Sequence, residues 1–200
     1  MQTKLLGNHP TGLIFVVSAP AGTGKTTLVH LLTREFPAVV QSISYTTRAP
    51  RYGEMEGREY HFISVEEFKH KIAKWEFLEY VELYGDYYGT CLDSIRKLQK
   101  QGRHVLLVID TQGAKKIKKI LPAVFIFIQP PSLEELRARL VNRNTESIEV
   151  IEKRLKIAAN EIEAGVDYDY QIINEDLNIS YQVLRSIVIA EEHRIAKLRL

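Results

Sequence analysis

The chain has 200 residues, 45% of them hydrophobic and 26% charged, which is the size and apolar content of one compact domain with short lobes at most and excludes a disordered chain. Its 27 Lys and Arg against 25 Asp and Glu leave a formal charge of +2, so no global field binds it to nucleic acid or membrane, and an anionic ligand must meet locally clustered charge. A single cysteine excludes an internal disulfide framework, and the apolar runs are far too short to span a bilayer.

The first twelve residues contain neither a continuous apolar segment nor a small-residue cleavage site, and they read as a short tail. The expected compartment is the cytoplasm. Residues 13–18, LIFVVS, form the first strand-like run, and TTLVHLLTREF after them has helical periodicity. Between residues 41 and 91 the texture changes to short segments rich in Tyr, Gly and Thr, with one helix predicted in VEEFKHKIAKW. This stretch reads as an insertion. The alternation then resumes: HVLLVID (104–110) before QGAKKIKKIL, VFIFIQ (124–129) before SLEELRARLV, and YQIIN (170–174) before a long C-terminal helical stretch. A further helix, IEVIEKRLKIAANEIEAG, is stopped by Gly165. Strands buried on both faces and alternating with helices define an α/β fold around a parallel sheet.

Residues 18–27, SAPAGTGKTT, join the first strand directly to its helix. Gly22 and Gly24 allow backbone N–H groups to turn inward around phosphate oxygens, and the helix N-terminus adds partial positive charge. Lys25 can reach β- and γ-phosphates, and the Thr26 hydroxyl can ligate Mg²⁺. Ala19 stands where the usual motif starts with glycine. Downstream, Arg48 and Arg51 lie three residues apart beside the hydroxyls of Ser44, Thr46 and Thr47, and their guanidinium forks suit a phosphate dianion. EFLEYVELYG (76–85) offers Glu76, Glu79 and Glu82 as competing candidates for a ligand-reading carboxylate, with a surface charge as the plainer reading of each. Arg137, Arg139, Arg143 and Arg154 come from an Arg- and Glu-dense segment, either as ligands for a transferring phosphoryl group or as surface charges paired with nearby glutamates. The run Lys115, Lys116, Lys118 and Lys119 reads as a solvated helix face, so nucleic acid is not an expected partner.

Taken with the phosphate loop, SISYTTRAPRYGEMEGREYHF, GDYYGT and IDTQG resemble guanylate kinases over about residues 12–194. The resemblance implies a P-loop NTPase-type parallel sheet flanked by helices, with an inserted mixed α+β lobe for GMP and a helical lid. The core would be residues 1–42, 93–131 and 157–200, the lobe 43–92 and the lid 132–156. It implies MgATP and GMP as substrates. Residues 19–27 (Ala19, Pro20, Ala21, Gly22, Thr23, Gly24, Lys25, Thr26, Thr27) and Asn174 would meet ATP. Ser44, Arg48, Arg51, Tyr60 and Tyr88 would hold the GMP phosphate, and Glu79, Thr90 and Asp110 would read guanine. Lys25, Arg48, Arg139, Arg143 and Arg154 are the implied catalytic set, with Thr26 on the metal. The chain departs from the family at Val108, where Asp is usual, and in the lid turn, where Asn142-Arg143-Asn144 stands against the usual Gly-x-Arg-Gly.

Overall fold

The computed structural model describes residues 4–83, 85–142 and 147–195. Five strands, β1 (Ile14–Ser18), β2 (Val39–Gln41), β7 (His104–Val108), β8 (Val124–Gln129) and β9 (Tyr170–Ile173), form a wholly parallel sheet in the order β2-β7-β1-β8-β9. Strand β1 is apolar from Ile14 to Val17, so its side chains feed both faces. Phe15 and Val17 join Leu28, Val29 and Leu32 of α1 (Lys25–Glu35) and Leu184 and Val188 of α7 (Leu177–Glu192). Ile14 and Val16 join Ile95 of α3 (Leu92–Lys100) and Ile117 of α4 (Thr111–Ile117). Each such fully buried aliphatic side chain contributes roughly 1.5–3 kcal/mol.

The predicted core strands all form. The edge strand β2 and helix α3 are additions, and α3 carries Leu92, Ile95 and Leu98 at three-residue spacing against the sheet. A second sheet, β4-β3-β6-β5, is built from β3 (Ser44–Thr46), β4 (Tyr60–Phe62), β5 (Phe77–Leu83) and β6 (Asp86–Cys91), with α2 (Val65–Ala73) packed on it through Phe68. Its β3–β4 pair is parallel and the others are antiparallel. Helices α5 (Leu133–Asn142) and α6 (Ile148–Ala164) share a small core of Leu136, Leu140, Ile151 and Ala158.

One sequence expectation is corrected. The N-terminal residues are more than a tail: Leu6 enters the core, and the N–H groups of Gly7 and Asn8 donate to the buried carboxylate of Glu192. The lysine run Lys115, Lys116, Lys118 and Lys119 is exposed, as expected; on that face Lys116 donates to the Tyr80 carbonyl and Lys118, just past α4, to that of Asp167, their ammonium groups lying over the Tyr80 and Phe125 rings. No helix among the described residues is long and apolar enough to cross a membrane.

The order of the strands places the site. Connections from β1 run through α1 to β2 on one side, whereas β7 leads through α4 to β8 on the other, so the chain diverges at the C-terminal ends of β1 and β7. A crevice opens at that point.

Candidate active site

The loop between β1 and α1 wraps the N-terminus of α1. Gly22 and Gly24 take positive φ values of 94° and 92°, which a side chain would strain. Both also lack room: a Cβ on Gly22 would stand 2.9 Å from Leu140 of α5, and one on Gly24 2.6 Å from the amide nitrogen of Asn174. Trp75 is the only described non-glycine residue with positive φ, so Ala19 keeps ordinary backbone geometry in place of the motif's first glycine. The Thr23 hydroxyl donates to the Pro20 carbonyl at 2.6 Å, and Asn174 donates to the Thr23 carbonyl at 2.6 Å. Asn174 is therefore a buried brace of the phosphate loop. Arg139 of α5 donates in turn to the Asn174 carbonyl at 3.0 Å and pairs with Glu135, which places it beside this brace and outside the cleft wall.

Lys25 Nζ lies 3.4 Å from the Ala19 carbonyl. Burial pushes its ammonium below the ordinary lysine value, while the carboxylates of Glu161 and Asp110 pull it back up. Glu161, on α6, is itself raised to about 7 by burial, with Lys25 opposing and Asp110 reinforcing the shift. Sequence reasoning missed this residue, because its neighbours come from the first residue of α1 and the N-cap of α4, far away in the chain.

Facing the phosphate loop is a cavity of about 350 Å³ lined by Lys25, Thr26, Ser44, Arg48, Arg51, Tyr60, Tyr88 and Val108. It continues into one of about 250 Å³ that shares Lys25, Ser44, Arg51, Tyr60, Tyr88 and Val108 and adds Glu79, Asp110 and Arg154. The residues named for phosphate, base and catalysis thus converge on one cleft. Exceptions are Ala19, Pro20, Gly22, Thr23, Gly24 and the exposed Thr27 of the loop, which do not line it, Arg139, Asn174 and Thr90, which stand behind its wall, and Arg143, which lies with Asn144 outside the described residues.

Arg48 is preset by an acid that the sequence did not single out. Both of its contacts to Glu54 measure 2.9 Å, and Glu54 also accepts the Arg51 N–H at 2.7 Å. Burial would raise the Glu54 carboxyl, but the Arg51 N–H and the Arg48 guanidinium outweigh it and hold the group below its ordinary value. The arginine lies over Tyr60, whose ring meets Tyr88 edge to face. Arg137 forms an exposed pair with Glu152, as the surface reading of it expects.

Among the three glutamates of β5 and its approach, the structure selects one. Glu76 pairs with Lys71, Glu82 is exposed, and Glu79 is only 6% exposed. Period-two alternation puts Glu79, Val81 and Leu83 on the cleft side. Thr90 on the paired strand donates to Glu79 Oε1 at 2.6 Å, so Thr90 acts through the carboxylate it orients. Burial lifts Glu79 to about 7, the Thr90 hydroxyl works against this, and nearby Asp110 adds to it. Asp110 caps α4, accepting from the N–H groups of Gln112 at 2.6 Å and Gly113 at 2.9 Å.

No group of three His, Cys, Asp or Glu residues suited to a metal ion occurs among the described residues. The donor set of the cleft is the Thr26 hydroxyl on one side and, across it, the hydrocarbon of Val108. That arrangement fits a magnesium ion held mainly by substrate phosphates and water with one protein oxygen.

A parallel sheet with a glycine-turned phosphate loop, faced by a second lobe presenting arginines and a buried carboxylate, defines a P-loop nucleotide-binding phosphotransferase. The comparisons narrow the class. The guanylate kinase family model matches residues 12–191. The chain is 61% identical to the guanylate kinase of Protochlamydia amoebophila (strain UWE25) over 96% of its own length and 97% of that protein. It is 50% identical to that of Chlamydia trachomatis serovar D over 92% of its own length and 90% of the relative. The crystal structure of guanylate kinase from Anaplasma phagocytophilum superposes with a TM-score of 0.77 at 35% identity, covering 98% of this chain and 95% of the other. The chain belongs to the guanylate kinase family.

Proposed function

We propose that this enzyme transfers the γ-phosphoryl group of MgATP to the 5′-phosphate of GMP, giving ADP and GDP, with the phosphate loop as donor site and the lobe as acceptor site. The observation that carries the reading is the continuity of the two cavities: Lys25 and Arg51 line both, so a donor phosphate at the loop and an acceptor phosphate at Arg48 and Arg51 would share one wall. Phosphoryl transfer of this kind needs alignment and charge neutralisation more than covalent chemistry.

The roles follow from the geometry. The loop N–H groups and Lys25 hold the β- and γ-phosphates. Arg48, preset by Glu54, and Arg51, with Ser44, Tyr60 and Tyr88 around them, fix the attacking phosphate. Arg154 lines the same cleft from α6 and stabilises charge that spreads over the moving group. Arg139 and Arg143 are assigned to the same task on closure of the α5–α6 lid, which also excludes water. Magnesium, when bound with ATP at Thr26, neutralises phosphate charge.

Guanine is read by Glu79. Its N1–H and exocyclic amine are two donors on one edge, which a carboxylate accepts together. Adenine lacks that pair and would leave the buried carboxylate unsatisfied, at about 1–3 kcal/mol or more. Asp110 completes the pocket beside it. A cytoplasmic location suits a chain with one unpaired cysteine, Cys91.

A coupled assay of ADP formation with GMP, AMP, UMP and CMP tests the assignment. Turnover is expected with GMP well above the other three. No turnover by the folded protein with any of them sinks the enzyme reading, and a preference for AMP sinks the base assignment alone.

A further inference from the structure

Helix α4 meets the carboxylate of Glu79 with a residue that has no side chain. A Cβ built on Gly113 would stand 2.8 Å from Glu79 Oε2 and 3.2 Å from its Cδ, inside the closest approach real side chains make. The backbone cannot easily retreat. Gly113 is buried, its N–H is engaged by Asp110 Oδ1 at 2.9 Å, and the Lys116 amine ties α4 to the carbonyl of Tyr80, the residue after Glu79. On the other side Thr90 holds Oε1 at 2.6 Å. The carboxylate is therefore bounded by a hydroxyl on one oxygen and by bare backbone on the other.

Gly113 does not have positive φ, and it lies within a helix, where glycine is less favourable than alanine. Backbone conformation gives no reason for it. The contact with Glu79 does.

We propose that Gly113 is a specificity-determining positioning residue: its missing side chain sets the depth at which the Glu79 carboxylate sits, and so lets both oxygens meet the two donors of guanine. The inference deepens the reading of Glu79 given above and rests on it. An added methyl would drive Oε2 toward the cleft or turn the group off Thr90, and in either case the two-point contact is lost.

The test is Gly113→Ala, assayed with GMP and with inosine monophosphate, whose base keeps N1–H and lacks the exocyclic amine. The KM for GMP should rise about tenfold or more, while kcat at saturating GMP and the KM for ATP stay within about threefold. The preference for GMP over inosine monophosphate should fall by a similar factor, because a two-point contact to a base edge discriminates by about 5- to 150-fold. In a Glu79→Asp background, where the carboxylate is withdrawn by one methylene, the same alanine should change the KM for GMP by less than about threefold. An unaltered preference in Gly113→Ala, or equal effects in both backgrounds, overturns the proposal. If Gly113→Ala fails to fold, the double variant decides: refolding supports the contact with Glu79, and continued failure overturns it. Glu79→Gln alone separates the two levels. A preference that survives Glu79→Gln sinks the reading of Glu79, whereas one lost there and kept in Gly113→Ala sinks only the role of the glycine.

Discussion

At the N-terminal edge of the core sheet, His104 and Glu192 are both enclosed, and the pair is saturated with hydrogen bonds. Glu192 accepts from the N–H groups of Gly7 and Asn8, from the Asn8 amide and from His104 Nε2. His104 Nδ1 accepts the Leu13 N–H at 3.0 Å, which leaves the ring proton on Nε2. At the C-terminal edge, Lys25, Glu161, Asp110 and Glu79 are brought together with far fewer partners, and burial drives Lys25 down and both glutamates up to about 7. One edge spends its buried charge on holding the chain together, and the other keeps its charge incompletely satisfied for a ligand to complete.

The two edges respond to pH with opposite sign. For Glu192, burial opposes ionisation, but the Asn8 and Gly7 donors and His104 outweigh it, so its folded value lies below the ordinary 4.5. The stability it supplies is present above about pH 4.5 and lost as pH falls through that lower value. Burial depresses His104 below 6.5, against the pull of Glu192, so acidification below about 6.5 costs further stability there. The raised carboxyls of Glu79 and Glu161 do the reverse. The folded state takes up their protons first, and acidification from about 7 toward 4.5 relieves it.

The sharpest break between the edges is Lys25→Ala. Lys25 lines both halves of the cleft, and its charge is worth most where phosphate charge moves. Turnover should fall about 10³-fold while the affinity for GMP, measured by titration calorimetry, changes by less than about threefold. Equal losses in both would contradict the assignment to the transferring group.

Glu192→Ala should do the opposite, lowering stability by about 3 kcal/mol in urea denaturation with kcat and both KM values unchanged. It strands the His104 N–H and two backbone donors far from the cleft. A loss of activity in protein that remains folded would show that the two edges are coupled through the sheet.

What could be read before folding, and what could not, divides along the same line. The phosphate loop and the strands β1, β7, β8 and β9 are local patterns: a short run dominated by apolar residues, or glycines spaced about a lysine, carries its meaning within one segment. Arg48 and Arg51 stood out locally as guanidinium forks beside hydroxyls, whereas Tyr60 was found only through a resemblance that spans separated motifs. Glu54 lies only three residues from Arg51, but nothing local says that its carboxylate will turn back onto Arg48. Glu192, Glu161 and Gly113 lie beyond any local signal, since His104, the Lys25–Asp110 pair and Glu79, which they respectively meet, are all distant in the chain. Glu79 was one of three competing acids by local pattern and was singled out by the resemblance alone; the register of β5 against β6 supplies the physical reason. Helix α3 did have a legible signal in Leu92, Ile95 and Leu98, set within residues whose charge obscured it.

The smallest effect bears on the base-reading end. If the ionised Glu79 binds guanine, its carboxyl must lose a proton that burial retains up to about pH 7, so binding should strengthen as pH rises through that value. Between pH 8 and pH 6 the ionised fraction falls about tenfold, and the KM for GMP should rise by about the same factor. The phosphate of GMP titrates near pH 6 as well, so Glu79→Gln is the necessary control. In that variant the phosphate dependence remains and the steeper component disappears. The Thr90 hydroxyl, which favours the ionised form, supplies an internal check: Thr90→Val should move the wild-type midpoint upward, shifting the profile without abolishing it. Superimposable profiles for the wild type and Glu79→Gln would mean that this carboxyl takes no part in reading the base.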